Sequence, residues 1–491
     1  QPNFVYHGTT TMPDDYEFTR QWGLNNTGQT VNGTTGASGN DINAPAAWDT
    51  ATDCSGVVIA VLDTGINYNH SDLAGSMWDG SACVDELGNP LGGCLHGYDF
   101  IENDNDPKDT NGHGTHVAGI IGAGGNDGNR ISGVCWKANI MAVRMLDTNG
   151  DGTTAGAVSG IQFAINNGAK IINASWGDFE YDQALYDAVS DAQDHGVLFI
   201  AAAGNNNSNN DSFPFYPASF NLDNIISVAA IDQNGDRAYF SCYGEASVHI
   251  AAPGTNVLSS YPAQKIPAVE QFSSWKRESG WGYKVLDLDL STAGITGLTG
   301  FLSNPSNTDD YYRNNMDSCA YRVFNLAEYG PDMATLSFYL WGPFNIKTGD
   351  SMHVVYDAGG NRPLNSFGTL DPDVSRYGFD VTPVMSDTTS LGFRFLTDAA
   401  GTGHGVEIGY FAIYRWYHYN NATACMYLNG TSMAAPHVAG AAGLVWSADT
   451  GLTYTQVKNK ILNGGRVNDS LSGQIAGSRM LDAAGALTAA P

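Results

Sequence analysis

Residues 56–63 read GVVIAVLD, a glycine followed by an unbroken apolar run that stops on a carboxylate. Such a run suits a strand covered on both faces, because a strand with one wet face shows a polar residue at every second position. Five more runs of this kind follow: ANIMAVRML (138–146), AKIINASW (169–176), GVLFIAAAGN (196–205), NIISVAAID (224–232) and VHIAAPG (248–254). Between them lie stretches with helical spacing, such as AGAVSGIQFAINNGA (155–169) and QALYDAVSDAQDHG (183–196). Buried strands alternating with amphipathic helices, from Gly56 to about Pro253, predict an α/β fold on a doubly wound parallel sheet. Ligands of such sheets bind beyond the carboxyl ends of the strands.

Asp63 ends the first run and Asn205 follows LFIAAAG, so both should emerge at that edge. His113 opens the helical stretch NGHGTHVAGIIGAG (111–124), and Ser432 opens NGTSMAAPHVAGAAGLV (429–445). A serine at a helix start is commonly a cap. It becomes a nucleophile when a base takes its proton and an acid orients that base. Acid, base, serine and an amide donor all fall at element ends, where one face can gather them.

After AAPGTNVLSSYPA (251–263) the rhythm changes. Segments such as GYKVLDLDL (282–290), ATLSFYLWG (334–342) and VEIGYFAIYRWY (406–417) alternate with period two between Gly, Asn and Asp. They predict an inserted all-β domain over 265–424, an antiparallel, jelly-roll-like sandwich. The α/β domain is then discontinuous, 1–264 and 425–491, and ends in the helical SRMLDAAGALTAA (478–490).

Charge and cysteines narrow the partners. Fifty acidic against 22 basic residues give a net charge of -28, which argues against nucleic acid and anionic membrane and suits cation binding. No apolar run is long enough to span a membrane. The seven cysteines, Cys54, Cys83, Cys94, Cys135, Cys242, Cys319 and Cys425, form no C-x-x-C pair. Disulfides and an oxidising, extracellular setting are expected, with Cys83 and Cys94 closing a small turn-rich loop and the other pairings open.

VIAVLDTGINYNHSDL (58–73), NGHGTHVAGIIGA (111–123), AAAGNN (201–206) and NGTSMAAPHVAG (429–440), in the order Asp, His, Asn, Ser, resemble the four signature segments of the subtilisin-like serine proteases, the subtilases. The resemblance covers about two thirds of the chain, everything but the insert. It implies a secreted serine endopeptidase acting on proteins or peptides, with Asp63 as triad acid, His113 as base, Ser432 as nucleophile and Asn205 in the oxyanion hole. His116 is read as a packed structural residue. Asn429 and Asp178 depart from the family pattern without removing a catalytic group.

Other readings fit less well. Ala434 occupies the second glycine position of a G-x-S-x-G elbow, which argues against an α/β-hydrolase esterase. Sedolisin-like peptidases place an acid where Asn205 stands. An adhesive or carbohydrate-binding role stays open for the insert, which would engage an insoluble protein, a glycan or a surface. A monomer is expected.

The resemblance further implies that substrate adds as an extended strand between NGDGTT (149–154) and ASWGD (174–178), touching Gly150, Gly152 and Thr154. Ser175, Trp176, Gly177, Ala203 and Gly204 would line the primary pocket. Phe215 either makes that pocket shallow or turns into the core. DTNGDG (147–152) imitates the start of an EF-hand loop, but Val158 stands where the closing glutamate belongs. Two structural Ca²⁺ sites are expected elsewhere by family likeness. One would use Asp14, Asp72 and Asn126; the other would use Asp99, Asp104 and Asp106, in an acidic loop that also holds Asp109.

Overall fold

The computed structural model describes residues 10–265 and 424–491 and, between them, the strand segments given below. By its contacts the chain divides into two compact units, 1–262 with 419–491, and 263–418.

In the first unit β1 (Thr30–Val31) and β2 (Thr34–Thr35) make a short hairpin and α1 (Ala44–Trp48) follows. Each of the six apolar runs becomes a strand: β3 (Ile59–Asp63), β5 (Ile140–Arg144), β6 (Ile171–Ala174), β7 (Leu198–Ala202), β8 (Ile225–Ile231) and β9 (Ile250–Pro253). They are buried along their whole length, as the absence of alternation requires. Three short strands complete the sheet, β4 (Gly97–Asp99), β23 (Arg466–Val467) and β24 (Arg479–Met480), in the order β23-β24-β9-β8-β7-β6-β3-β5-β4. Every pairing is parallel except that of β23 with β24.

The period of two along each strand sorts side chains between two helical layers. Ile59, Val61, Ile140, Ala142, Leu198 and Ile200 face the layer of α2 (His113–Gly122), α5 (Thr431–Ala448), α6 (Tyr454–Gly464) and α7 (Ala483–Thr488). Ala60, Leu62, Met141, Val143, Ile172 and Phe199 face α3 (Thr154–Asn166) and α4 (Gln183–Asp194). Strand β3 lies between β5 and β6, so the chain reverses its direction of travel there. The carboxyl end of β3 is therefore the switch point where ligands gather.

Strand β10 (Val257–Ser260) pairs antiparallel with β22 (Cys425–Leu428), from Val257 opposite Leu428 to Ser260 opposite Cys425. The chain leaves and re-enters the unit through hydrogen-bonded neighbours, so a long excursion between them leaves α5 in place. Two disulfides add covalent ties, Cys54–Cys135 and the expected Cys83–Cys94. Among the described residues Cys242 and Cys425 are free thiols; the side chain of Cys319 lies outside them.

The second unit holds two antiparallel sheets. One runs β13 (Gly282–Val285), β14 (Gly300–Asn304), β21 (Gly405–Trp416), β16 (Met333–Asn345) and β19 (Arg376–Asp380), with β11 (Ala263–Lys265) also on β21. The other runs β12 (Lys276–Arg277), β15 (Asp317–Phe324), β20 (Thr389–Leu396), β17 (Ser351–Asp357) and β18 (Asn365–Thr369).

Candidate active site

Asp63 shares the parity of Ile59 and Val61, so its carboxylate points to the α2 and α5 side of the sheet. It is fully buried, and its Oδ1 accepts from Nδ1 of His113 at 2.7 Å and from its neighbour's amide, Thr64 N, at 2.8 Å. His113 is the first residue of α2 and keeps 26% of its side chain exposed, with Nδ1 on the carboxylate. Two glycines permit this approach. A Cβ at Gly114 would collide with the Gly65 carbonyl and come within 3.1 Å of Asp63 Cβ; one at Gly112, where φ is 103°, would lie 2.5 Å from the Tyr261 ring.

The start of α2 is held by a carboxylate of the acidic loop that was not expected to act there. Asp109 is buried and accepts from the amides of Asn111, Gly112 and Thr115 and from the hydroxyls of Thr64 and Thr115, at 2.5 to 2.9 Å. Burial raises its pKa while the bonds to Gly112 and Thr115 pull it down. Thr64 Oγ1 in turn accepts from Gly114 N at 2.9 Å, joining the residue after Asp63 to the residue after His113. His116, one turn on, is fully buried, with Nε2 at 3.1 Å from the Val257 carbonyl and 3.0 Å from that of Met426. Burial lowers its pKa to about 3, so it is a neutral structural imidazole.

Ser432 is the second residue of α5, among the amides that have no acceptor within the helix. Small side chains let α5 sink into the core: a Cβ at Gly440 would lie 2.7 Å from Val134 Cβ. Its first turn is fastened to the end of β6, where Ser432 Oγ donates to the Ser175 carbonyl and Ser175 Oγ donates to the Ser432 carbonyl, both at 2.9 Å. Asn205 stands at the exit of β7. Its Oδ1 accepts from Thr431 N at 2.9 Å and Thr431 Oγ1 at 3.0 Å. A backbone amide can only donate, so the carboxamide oxygen faces Thr431 and the NH₂ group is left for another acceptor.

The groove residues fall into three places. Gly150, Gly152, Thr154, Trp176 and Gly177 border one cavity of about 360 Å³. The ring of Phe215 sits between the positions of Gly177 and Gly204, for a Cβ on either would lie 2.5 Å and 3.1 Å from it, and it stacks edge-on against Phe179. Ala203 does not face the groove: it is fully buried, its methyl packed with Ala229, Ile231 and Cys242. DTNGDG forms a tight turn closed by Asp147 N on the Asp151 carbonyl, in the cavity wall.

Among the described residues no three His, Cys, Asp or Glu side chains converge into a metal cluster. The two expected calcium sets fare differently. Asp99 spends one oxygen on Arg144 Nη1 at 2.6 Å and the other on the amides of Ile101 and Glu102. Asp104 accepts from Asp106 N, and Asp106 from Tyr68. In that set Asp99 has a cation partner, while Asp104 and Asp106 each have one oxygen engaged by a donor. In the first set, Asp14 is exposed and accepts from Gly128 N, while Asp15 turns inward with Oδ2 on Asn126 N at 2.8 Å. The inward carboxylate is one residue later than expected. Asp15 Oδ1 and Asp72 Oδ2 are buried with no hydrogen-bond donor. Burial pushes both carboxyls up to about 6, and Asp127 adds like charge to each. A short supply of donors around buried hard oxygens fits a divalent cation.

Comparison with known proteins agrees with this geometry. The subtilase family pattern matches residues 54–286 and 368–477. The chain is 35% identical to thermitase of Thermoactinomyces vulgaris over 59% of its own length and 89% of that protein. It is 34% identical to Subtilisin Savinase of Lederbergia lenta over 59% of itself and 92% of the relative. In fold it resembles a protease from Pseudoalteromonas arctica, with a TM-score of 0.53 at 23% identity, covering 98% of this chain and 100% of that one. The chain belongs to the subtilase family of serine proteases. It is a hydrolase, a serine endopeptidase on a largely parallel α/β sheet. Among the described residues no helix is long and apolar enough to cross a membrane.

Proposed function

We propose that Asp63, His113 and Ser432 are the acid, base and nucleophile of this endopeptidase, with Asn205 as an oxyanion donor. The carrying observation is the 2.7 Å bond from His113 to the buried Asp63, at the sheet edge where the first turn of α5 is fastened. In the reaction the Ser432 hydroxyl leaves the Ser175 carbonyl and gives its proton to His113 Nε2 as Oγ bonds the substrate carbonyl carbon. Asp63 stays ionised and stabilises the imidazolium. The oxyanion takes hydrogen bonds from Asn205 Nδ2 and Ser432 N–H, aided by the positive end of α5. The C–N bond then breaks, His113 protonates the departing amine, and water attacks the acyl-enzyme by the same relay.

An extended peptide lying between 149–154 and 174–178 is supported by the cavity between those segments, and the Phe215 ring between Gly177 and Gly204 supports a shallow primary pocket. A Ca²⁺ ion held by Asp15, Asp72 and Asn126 would tie the N-terminal arm to the loop after α2. Two disulfides and the likeness to bacterial proteases support a secreted enzyme, which is proposed to act as a monomer. The antiparallel pairings between 265 and 424 support an inserted jelly-roll-like domain, whose proposed role is to bind an insoluble protein, a glycan or a surface.

The test is to map cleavage sites in a denatured protein with the enzyme and its Ser432→Ala variant in calcium. Cuts that vanish in the variant support the assignment; cuts that persist sink it.

A further inference from the structure

The cavity beside the groove has a composition that the peptidase activity does not require. Its floor is apolar, made by Met145, Leu146, Leu185 and the indole of Trp176, whose Nε1 is anchored on the Leu62 carbonyl at 2.9 Å. Its rim carries four carboxylates, Asp151, Asp178, Glu180 and Asp182, and its lining contains no lysine, arginine or histidine. The four are not equivalent. Asp182 is used up structurally: it caps α4 through the amides of Ala184 and Leu185 and accepts from Thr154 Oγ1 at 2.9 Å, tying the two walls together. Asp178 accepts from Phe179 N. Asp151 and Glu180 are exposed, one on each wall, and none of the four has an ion-pair partner among the described residues.

We propose that this cavity is a subsite for a cationic side chain of the substrate, lysine or arginine, with Asp151 and Glu180 as the selecting charges. It rests on the groove assignment made above. About 360 Å³ is ample for one long side chain. A long methylene stem covers the apolar floor while its charged end reaches the rim, the way such side chains divide between oil and water. The ammonium or guanidinium then meets two carboxylates that lack a cation. A glutamate in the same place would add a fifth negative charge and bury its stem at a loss. The overall charge of -28 draws basic peptides to the whole surface, but a general field does not distinguish one substrate position from the next.

That difference sets the experiment. A peptide amide series with a fixed primary residue carries lysine, norleucine or glutamate at each position from the second to the fifth before the cut. For each position kcat/KM is compared within one enzyme, because norleucine keeps the stem and removes the charge. A single position should favour lysine over norleucine by roughly five- to tenfold, shrinking as salt rises. In Asp151→Asn/Glu180→Gln the lysine-to-norleucine ratio at that position should fall to within about twofold. Glu180→Lys should move the preference toward glutamate there, which a merely damaged enzyme does not do. Equal preference at every position, or a ratio that survives neutralisation, overturns the subsite while leaving the peptidase intact. Peptide cutting that persists in Ser432→Ala overturns the site assignment and the subsite with it.

Discussion

Two buried carboxylates bracket helix α2, and their surroundings are opposite in kind. Asp109, before its first turn, accepts five hydrogen bonds and holds the amides that place His113 on Asp63. Asp72, whose carbonyl takes Gly124 N just beyond the last turn, keeps Oδ2 without a donor and has the charge of Asp127 nearby. Burial raises the pKa of both. The first carboxylate is satisfied by the chain itself and fixes geometry; the second keeps an oxygen without a donor and has a like charge beside it. A cluster of aspartates is thus not one kind of feature. Donor count separates a clamp from a candidate cation site.

Changes to the reacting groups should leave both carboxylates alone, which bounds the comparison from above. Ser432→Ala is expected to lower kcat on a peptide amide by about 10⁶-fold while the melting temperature barely moves. Asn205→Leu should cost about 10²- to 10³-fold in kcat with little change in KM, the loss known for an oxyanion donor of this type. A large shift in unfolding temperature for either would mean that the catalytic edge carries stability as well as chemistry.

The clamp comes next. Asp109→Ala strands three amides and two hydroxyls, and urea unfolding should show about 2 to 4 kcal/mol of lost stability, equal in calcium and in chelator. Chelation of the parent protein should lower its melting temperature, since an ion at 100 times its Kd contributes about 2.7 kcal/mol. In Asp72→Asn that dependence on calcium should largely disappear. If instead Asp109→Ala alone responds to calcium, the two carboxylates have been assigned the wrong way round.

The smallest effect is set by pH. Burial holds His116 at about 3 and His437 at about 4, below the usual value of about 6.5. Below that usual value the unfolded chain binds protons that the folded chain refuses, so stability is full above it and falls as pH drops toward 4 and then 3. At pH 6 the loss should be about 1 kcal/mol for each imidazole, read by urea titration at pH 7.5 and 6. His116→Gln should flatten part of that slope.

Much of this was legible in the chain. The six apolar runs became strands because a doubly covered strand has no freedom to alternate, and Asp63 and Asn205 emerged at one edge because parallel strands share a direction. The distinction between His113 and His116 was legible as well, since three residues along a helix move from its end toward the packed core. Two details were not. Asp14 and Asp15 are adjacent and chemically identical, and only the path of the arm over the 126–130 loop turns the second one inward. That Asp99 pairs with Arg144, 45 residues away on the neighbouring strand, could not be read from the acidic loop alone.

The amino-acid order alone determined the period of burial, the direction of the strands and the kinds of polar group at their ends, because these follow from local chemistry and steric repeat. Which carboxylate meets an arginine, which meets an amide and which keeps an oxygen without a donor depended on groups far apart in sequence. Only the tertiary structure decided those pairings, because an electrostatic environment is a sum over neighbours in space.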